Sequence, residues 1–183
     1  MTYIINFGSP KIKEIEKCVR ALGLPFKTVA WDATDANFEN ASRFILSGSP
    51  TYLTETAHAP YIQRYHFLKT VKVPVLGICF GHQVLGLLHG ASIYRGEPVR
   101  TSVDIEVLQS LPLFEGLGKT TGMTEDHTEG ITLPEGFIHL ASSKTYKNEG
   151  MKHPDKDIYG VQFHPEVSGE NGMRLLKNFA FLM

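Results

Sequence analysis

Pro74-Val75-Leu76-Gly77-Ile78-Cys79-Phe80-Gly81-His82-Gln83 is the stretch on which the fold turns. Pro74 stops any preceding helix, and Val75 to Ile78 is a short continuous apolar run of the kind buried in a parallel sheet. A helix is expected at once, from about Gly81 to His89, closed by Gly90. Cys79 stands between strand and helix with a glycine two residues before it and another two after, the pattern of a nucleophile elbow with sulfur in place of oxygen. A turn this sharp brings neighbouring backbone too close for side chains at the glycine positions. The helix N-terminus adds partial positive charge and free N–H groups, which favour a thiolate and can receive an oxyanion. A free cysteine is often only a small buried apolar side chain. The strand, both glycines and the helix together favour the nucleophile at Cys79, whereas Cys18, beside Val19 in an earlier helical pattern, has none of them.

Outward from the elbow, the first half of the chain alternates strand and helix. Tyr3 to Phe7 reads as a strand; Ser9-Pro10 follows as N-cap and first helical residue, and Ile12, Ile15, Val19 and Leu22 recur at helical spacing until Gly23. Phe26 to Trp31 and Arg43 to Ser47 read as strands, the second ending in the turn Ser47-Gly48-Ser49-Pro50, and Pro60 to Lys72 carries a helical apolar face. The pattern predicts a doubly wound α/β fold, a mostly parallel sheet with helices on both faces. The second half is less regular, with β-like stretches at 103–108, 137–142 and 158–163 and a last helix over about 170–181 that packs Met173, Leu176 and Phe179 inward. With no linker, internal repeat or low-complexity tract, residues 1–183 are expected to form a single domain.

Near the C-terminus stands Gly160-Val161-Gln162-Phe163-His164-Pro165-Glu166. In an extended chain residues two apart share a face, and Pro165 keeps His164 out of helical conformation, so His164 and Glu166 form a candidate base and orienting partner for Cys79. Sequence alone gives no distance between them.

Composition narrows the function classes. A hydrophobic share of 42%, a charged share of 20% and a net charge of -1 argue against polyanion binding, so no nucleic-acid partner is expected. No apolar run approaches the ~20 residues of a membrane span, and the start lacks a basic leader, so no membrane association and a cytoplasmic location are expected. Two cysteines make no thiolate metal site, and the eight histidines include no His-Glu-x-x-His; His82 and His89 fall within the elbow helix. No metal and no cofactor are expected. Gly118-Lys119-Thr120 does not complete a P-loop, because Leu113 occupies the place of its first glycine.

The two motifs around Cys79 and His164 resemble those of the class I, or triad, glutamine amidotransferases, and the resemblance extends over nearly the whole chain. It implies a flavodoxin-like fold and hydrolysis of L-glutamine to glutamate and ammonia through a γ-glutamyl thioester on Cys79, with His164 shuttling the proton and Glu166 holding the imidazole. It also implies an oxyanion hole from the backbone N–H groups of Phe80 and of the loop Ser47-Gly48-Ser49-Pro50, where Ser49 stands in place of the usual second glycine. Gly48 and Gln83 are the expected substrate contacts. The segment Met123 to Phe137 resembles the Ser-His-x-Asp region of GMP synthetase glutaminase domains, with Asp126 for the serine and Glu129 for the aspartate. In that group the region faces the synthetase, so His127 and Glu129 are candidate interface residues, and the expected partner is a separate ATP-pyrophosphatase subunit that takes up the ammonia. Two rival readings keep the same motifs: a stand-alone γ-glutamyl hydrolase or peptidase, and a catalytically silent regulatory module. The presence of Cys79, His164 and Glu166 together argues against the silent module.

Overall fold

The computed structural model describes residues 1–182. Nine strands form one sheet. Its parallel half holds β1 (Thr2–Asn6), β2 (Phe26–Ala30), β3 (Arg43–Leu46) and β4 (Val75–Ile78) from the first part of the chain. The later strands are β5 (Ile93–Val99), β6 (Ser102–Val107), β7 (Thr120–Thr124), β8 (His127–Ile131), β9 (Ile138–Ser142), β10 (Gly150–Lys152) and β11 (Ile158–Val161). The order is β2-β1-β3-β4-β11-β10-β9-β6-β7, with β5 and β8 as a separate two-stranded ribbon. Strands β2, β1, β3, β4 and β11 run parallel, the 2-1-3-4-5 order of a flavodoxin-like sheet, and β10, β9, β6 and β7 extend it antiparallel.

The helices are α1 (Ile12–Ala21), α2 (Ala59–Tyr65), α3 (Phe80–Leu88) and α4 (Gly169–Ala180). The strands of the parallel half read as unbroken apolar runs because both of their faces are covered. One core contains Ile4, Ile45, Leu76 and Val161 with Ile15 and Val19 of α1 and Leu176 and Phe179 of α4. The other contains Ile5, Leu46 and Val75 with Tyr61 and Tyr65 of α2 and Val84 and Leu85 of α3. A side-chain alternation of two along each strand divides neighbouring residues such as Ile4 and Ile5 between the two cores.

Two local expectations are corrected. Ser9 does not cap α1; the helix begins at Ile12 with Lys11 at the cap position, and Ser9 and Pro10 form a turn in which the Ser9 Oγ accepts the Lys11 N–H at 3.1 Å. The segment expected as one helix over 60–72 is a shorter α2 from Ala59 to Tyr65 followed by a 3-10 turn from His66 to Lys69.

Candidate active site

The carboxyl ends of the parallel strands collect the residues on which the resemblance rests. Ser9 follows β1, the Ser47-Gly48-Ser49-Pro50 loop follows β3, Cys79 follows β4 and His164 lies just past β11. Strands β4 and β11 are direct neighbours in register, Ile78 beside Val161, and the Cys79 N–H donates to the Val161 carbonyl at 2.8 Å. That pairing brings the two distant motifs together, at the edge where doubly wound sheets bind ligands.

Cys79 has φ 51° and ψ −105°, and among the described residues it is the one non-glycine with positive φ. Such strain persists only where the surroundings fix it. A methyl group on Gly77 would lie 2.6 Å from the Gly81 carbonyl, and one on Gly81 would strike the Leu46 carbonyl and come within 2.6 Å of the Leu46 Cβ. Both glycines are therefore required by close backbone approach. Phe80 opens α3, so its N–H is one of the unpaired donors of a helix start, and neither it nor the Ser49 N–H has a protein partner among the described residues. Ser49 keeps negative φ, so a serine is accommodated in this loop without left-handed strain; its Oγ accepts the Thr51 N–H at 3.1 Å.

His164 is buried, its Nδ1 donating to the Glu166 Oε1 at 2.8 Å, which leaves Nε2 for the Cys79 sulfur. Burial alone would favour the neutral ring. The charge and hydrogen bond of Cys79, followed by those of Glu166, outweigh it and raise the His164 pKa to about 10. Glu166 meets the imidazole from a 3-10 turn at Pro165–Val167 and not from an extended strand, and Ser168 Oγ secures the turn by donating to the His164 carbonyl at 2.6 Å. A methyl group on Gly48 would sit 3.1 Å from the His164 Cε1 and 3.8 Å from the Cys79 Cβ, so the loop after β3 roofs this pair. Cys18 lies behind, its Sγ 3.8 Å from the Glu166 carbonyl oxygen; burial first, then the Glu166 charge, push its thiol pKa up, making it a poor nucleophile.

The cleft over Cys79 measures about 210 Å³ and is lined by Ser9, Ser49, Tyr52, Gln83 and Thr128 besides Cys79 and His164. That is less than the ~300–1,000 Å³ of sites for drug-sized ligands and matches a molecule the size of one amino acid. Gln83 commits its amide N–H groups to the Glu129 carbonyl at 2.9 Å and to the Gln162 Oε1 at 3.1 Å, so only its own carbonyl oxygen is left to meet a ligand. At the rim Lys11 reaches Asp126 at 2.6 Å and Arg100 reaches it at 3.5 Å; the hydrogen bond from Lys11 leads in holding the Asp126 carboxyl below its usual range.

His127 and Glu129, the candidate interface residues, line the cleft. Both are buried, at 7% and 2% exposure. His127 packs on Tyr146 with ring centroids 4.6 Å apart, and the Glu129 carboxylate takes the N–H groups of Leu53 at 2.7 Å and Thr54 at 2.9 Å. They fasten the cleft wall from inside. Sequence reading also passed over Glu125, Gln162 and Glu149, which the fold brings together with His127, Gln83 and Ser143. A signal existed for Glu125, two residues before His127 as Glu166 is two after His164. His82 is fully enclosed, and burial lowers its pKa to about 3, which keeps the ring neutral.

A strained cysteine at a helix start, backed by an imidazole and a carboxylate, is the arrangement that thiol acyl-transfer centres of the triad type use. The glutamine amidotransferase class-I family model matches residues 3–183, and the chain belongs to that family. It is 38% identical over 170 residues to a glutamine-hydrolysing GMP synthase subunit of Methanosarcina barkeri, covering 90% of this chain and 87% of that one. The corresponding subunit of Pyrococcus abyssi is 36% identical over 187 residues, with 100% and 98% covered. Among solved structures, a Thermoplasma acidophilum protein assigned to the same GMP synthase subunit superposes with a TM-score of 0.89 at 28% identity, over 97% of this chain and 90% of that one. A Thermotoga maritima glutamine amidotransferase at 22% identity shares the fold, with a TM-score of 0.77 over 98% and 81% of the two chains. Among the described residues no helix is long and apolar enough to cross a membrane.

Proposed function

We propose that the chain is the glutaminase subunit of a two-subunit GMP synthase, with Cys79, His164 and Glu166 as its catalytic group. The observation that carries the reading is His164 held between the Cys79 sulfur and the Glu166 carboxylate in a cleft sized for one amino acid. The Cys79 thiolate attacks the side-chain amide carbon of glutamine, and the oxyanion that forms is received by the N–H groups of Phe80 and Ser49. His164 gives its proton to the amide nitrogen, the C–N bond breaks, and ammonia leaves a γ-glutamyl thioester behind. Water then attacks the thioester and passes a proton to His164; the C–S bond breaks and glutamate departs. The Gln83 carbonyl oxygen and the Gly48 backbone are the contacts available to the substrate.

The near full-length similarity to separately encoded GMP synthase subunits supports an ATP-pyrophosphatase on a second chain, which would consume the ammonia. Direct delivery would spare the ammonia from protonation, because ammonia released into neutral water is mostly ammonium, which is not nucleophilic. The test is to purify the chain from its host and assay ammonia release with and without the co-purifying synthetase. Glutamine-dependent GMP formation only when both are present supports the reading. Full hydrolysis of larger γ-glutamyl amides by the chain alone favours a stand-alone hydrolase.

A further inference from the structure

Three ionisable side chains that the triad does not use are packed together at the cleft wall, His127 lining the cleft and Glu125 and Glu149 behind it. Glu125, His127 and Glu149 are 1%, 7% and 0% exposed, and one ligand-type atom of each lies within 4.8 Å of the others. The His127 Nδ1 is 2.9 Å from the Glu129 carbonyl oxygen, which can only accept, so Nδ1 carries a hydrogen. The His127 Nε2 is 3.0 Å from the Glu125 Oε2, a contact that also needs a proton between two atoms that otherwise both accept. A carboxylate oxygen of Glu125 lies within 4.8 Å of one of Glu149, and among the described residues the Glu125 Oε1 and the Glu149 Oε2 have no hydrogen-bond partner. A proton shared between the two carboxyl groups would satisfy both. The other Glu149 oxygen accepts the Ser143 hydroxyl at 2.7 Å.

The charged and titratable groups around the cluster are Tyr94 and Tyr146, with Glu97 and His82 beyond them. Among the described residues no lysine or arginine pairs with either carboxyl group. Two protons distributed over two carboxyls and one imidazole, in addition to the hydrogen on Nδ1, bring the group to zero net charge, as a buried site without cations demands. The cluster reaches the cleft directly. The Glu129 carbonyl that receives the His127 Nδ1–H also receives the Gln83 amide, and the Glu149 carbonyl accepts the N–H of Gln162, the other partner of Gln83.

We propose that Glu149 shares a proton with Glu125 and that this buried pair, acting through His127, positions Gln83 and the 127–131 strand for glutamine binding. Glu149 is a positioning residue, and its role rests on the reading that glutamine occupies the cleft. Burial first, then the Glu125 charge, raise the Glu149 pKa to about 9, so the proton is present at neutral pH and is given up in alkali.

The test is steady-state ammonia release by the full chain, with its synthetase where activity needs it, for wild type, Glu149→Gln and Glu149→Leu. Glu149→Leu strips Glu125 of its donor and should raise KM for glutamine about fivefold or more while kcat moves by less than about twofold. Glu149→Gln keeps an N–H toward Glu125 at every pH. The ratio of wild-type to Glu149→Gln KM should therefore climb as pH passes about 9, where the shared proton is lost. The ammonium group of glutamine titrates in both assays and cancels from the ratio. A ratio that stays flat overturns the proposal even if the leucine variant fails to fold. One equivalent of divalent cation in the purified protein, absent from Glu149→Gln, also overturns it and makes the three side chains a metal site; none is expected. A wild-type chain with no glutaminase activity, alone or with its synthetase, would instead defeat the functional reading on which the role rests.

Discussion

Replacing Glu166 by glutamine removes one charge and changes almost no volume. The carboxylate is fully buried, accepts from the His164 Nδ1 at 2.8 Å, and helps to raise the His164 pKa from 6.5 to about 10. That displacement corresponds to roughly 5 kcal/mol of preference for the imidazolium, shared between Cys79 and Glu166 and net of the burial penalty. Exchanging a charge-assisted hydrogen bond, worth about 1.5–3 kcal/mol, for a neutral one of about 0.5–1.5 kcal/mol withdraws ~1–2 kcal/mol of that preference. A glutamine that presents its N–H to Nδ1 also forces the wrong tautomer, which costs more. Together these predict a fall in kcat of roughly ten- to a thousandfold with KM nearly unchanged, because Glu166 does not line the cleft. The check is ammonia release against glutamine concentration over a range of pH. A variant within about twofold of wild type throughout would refute the argument that the carboxylate orients and charges the imidazole.

Three further outcomes follow from the same geometry. Gly81→Ala should destabilise the protein by about 1–3 kcal/mol or more in urea melts, since its Cβ strikes the Leu46 backbone, although glycine to alanine in an open helix would stabilise by ~1 kcal/mol. Gly48→Ala places a methyl 3.1 Å from the His164 Cε1, and the few tenths of an ångström the ring must yield should lower kcat several-fold to about tenfold in the glutaminase assay, with the fold intact by circular dichroism. Glu149 is raised from 4.5 to about 9, so the folded state holds its proton more tightly than the unfolded state. Its contribution to stability is present below about pH 4.5 and is lost as pH rises through 9; the Tm of Glu149→Gln relative to wild type should therefore climb across that window.

Much of this was legible in the sequence where local rules act alone. The run Val75 to Ile78 gave β4 with its bounds, and the glycines around Cys79 gave the elbow, because close backbone approach leaves no other residue type. Ser9-Pro10 signals a helix start that the chain uses instead for a turn preceding α1. The antiparallel half of the sheet was only partly visible. Strands β7 and β10, and β8 in the separate ribbon, contain Gly122, Gly150 and Gly130 and short polar runs, and paired neighbours, not their own pattern, hold them extended. The site divides in the same way. His164 and Glu166 are two residues apart and readable as a pair, but the inward turn of His127 and Glu129 depends on Leu53, Thr54 and Tyr146, residues from other parts of the chain. No spacing rule encodes those contacts.

The central claim is that sulfur at Cys79 becomes covalently joined to the glutamyl group during turnover. Rapid acid quench of the protein mixed with glutamine, followed by mass spectrometry of its peptides, measures this directly. The account predicts an added glutamyl group on the peptide that contains Cys79, and neither adduct nor ammonia release in Cys79→Ala. An adduct carried by Cys18, or ammonia release that survives intact in Cys79→Ala, would contradict it.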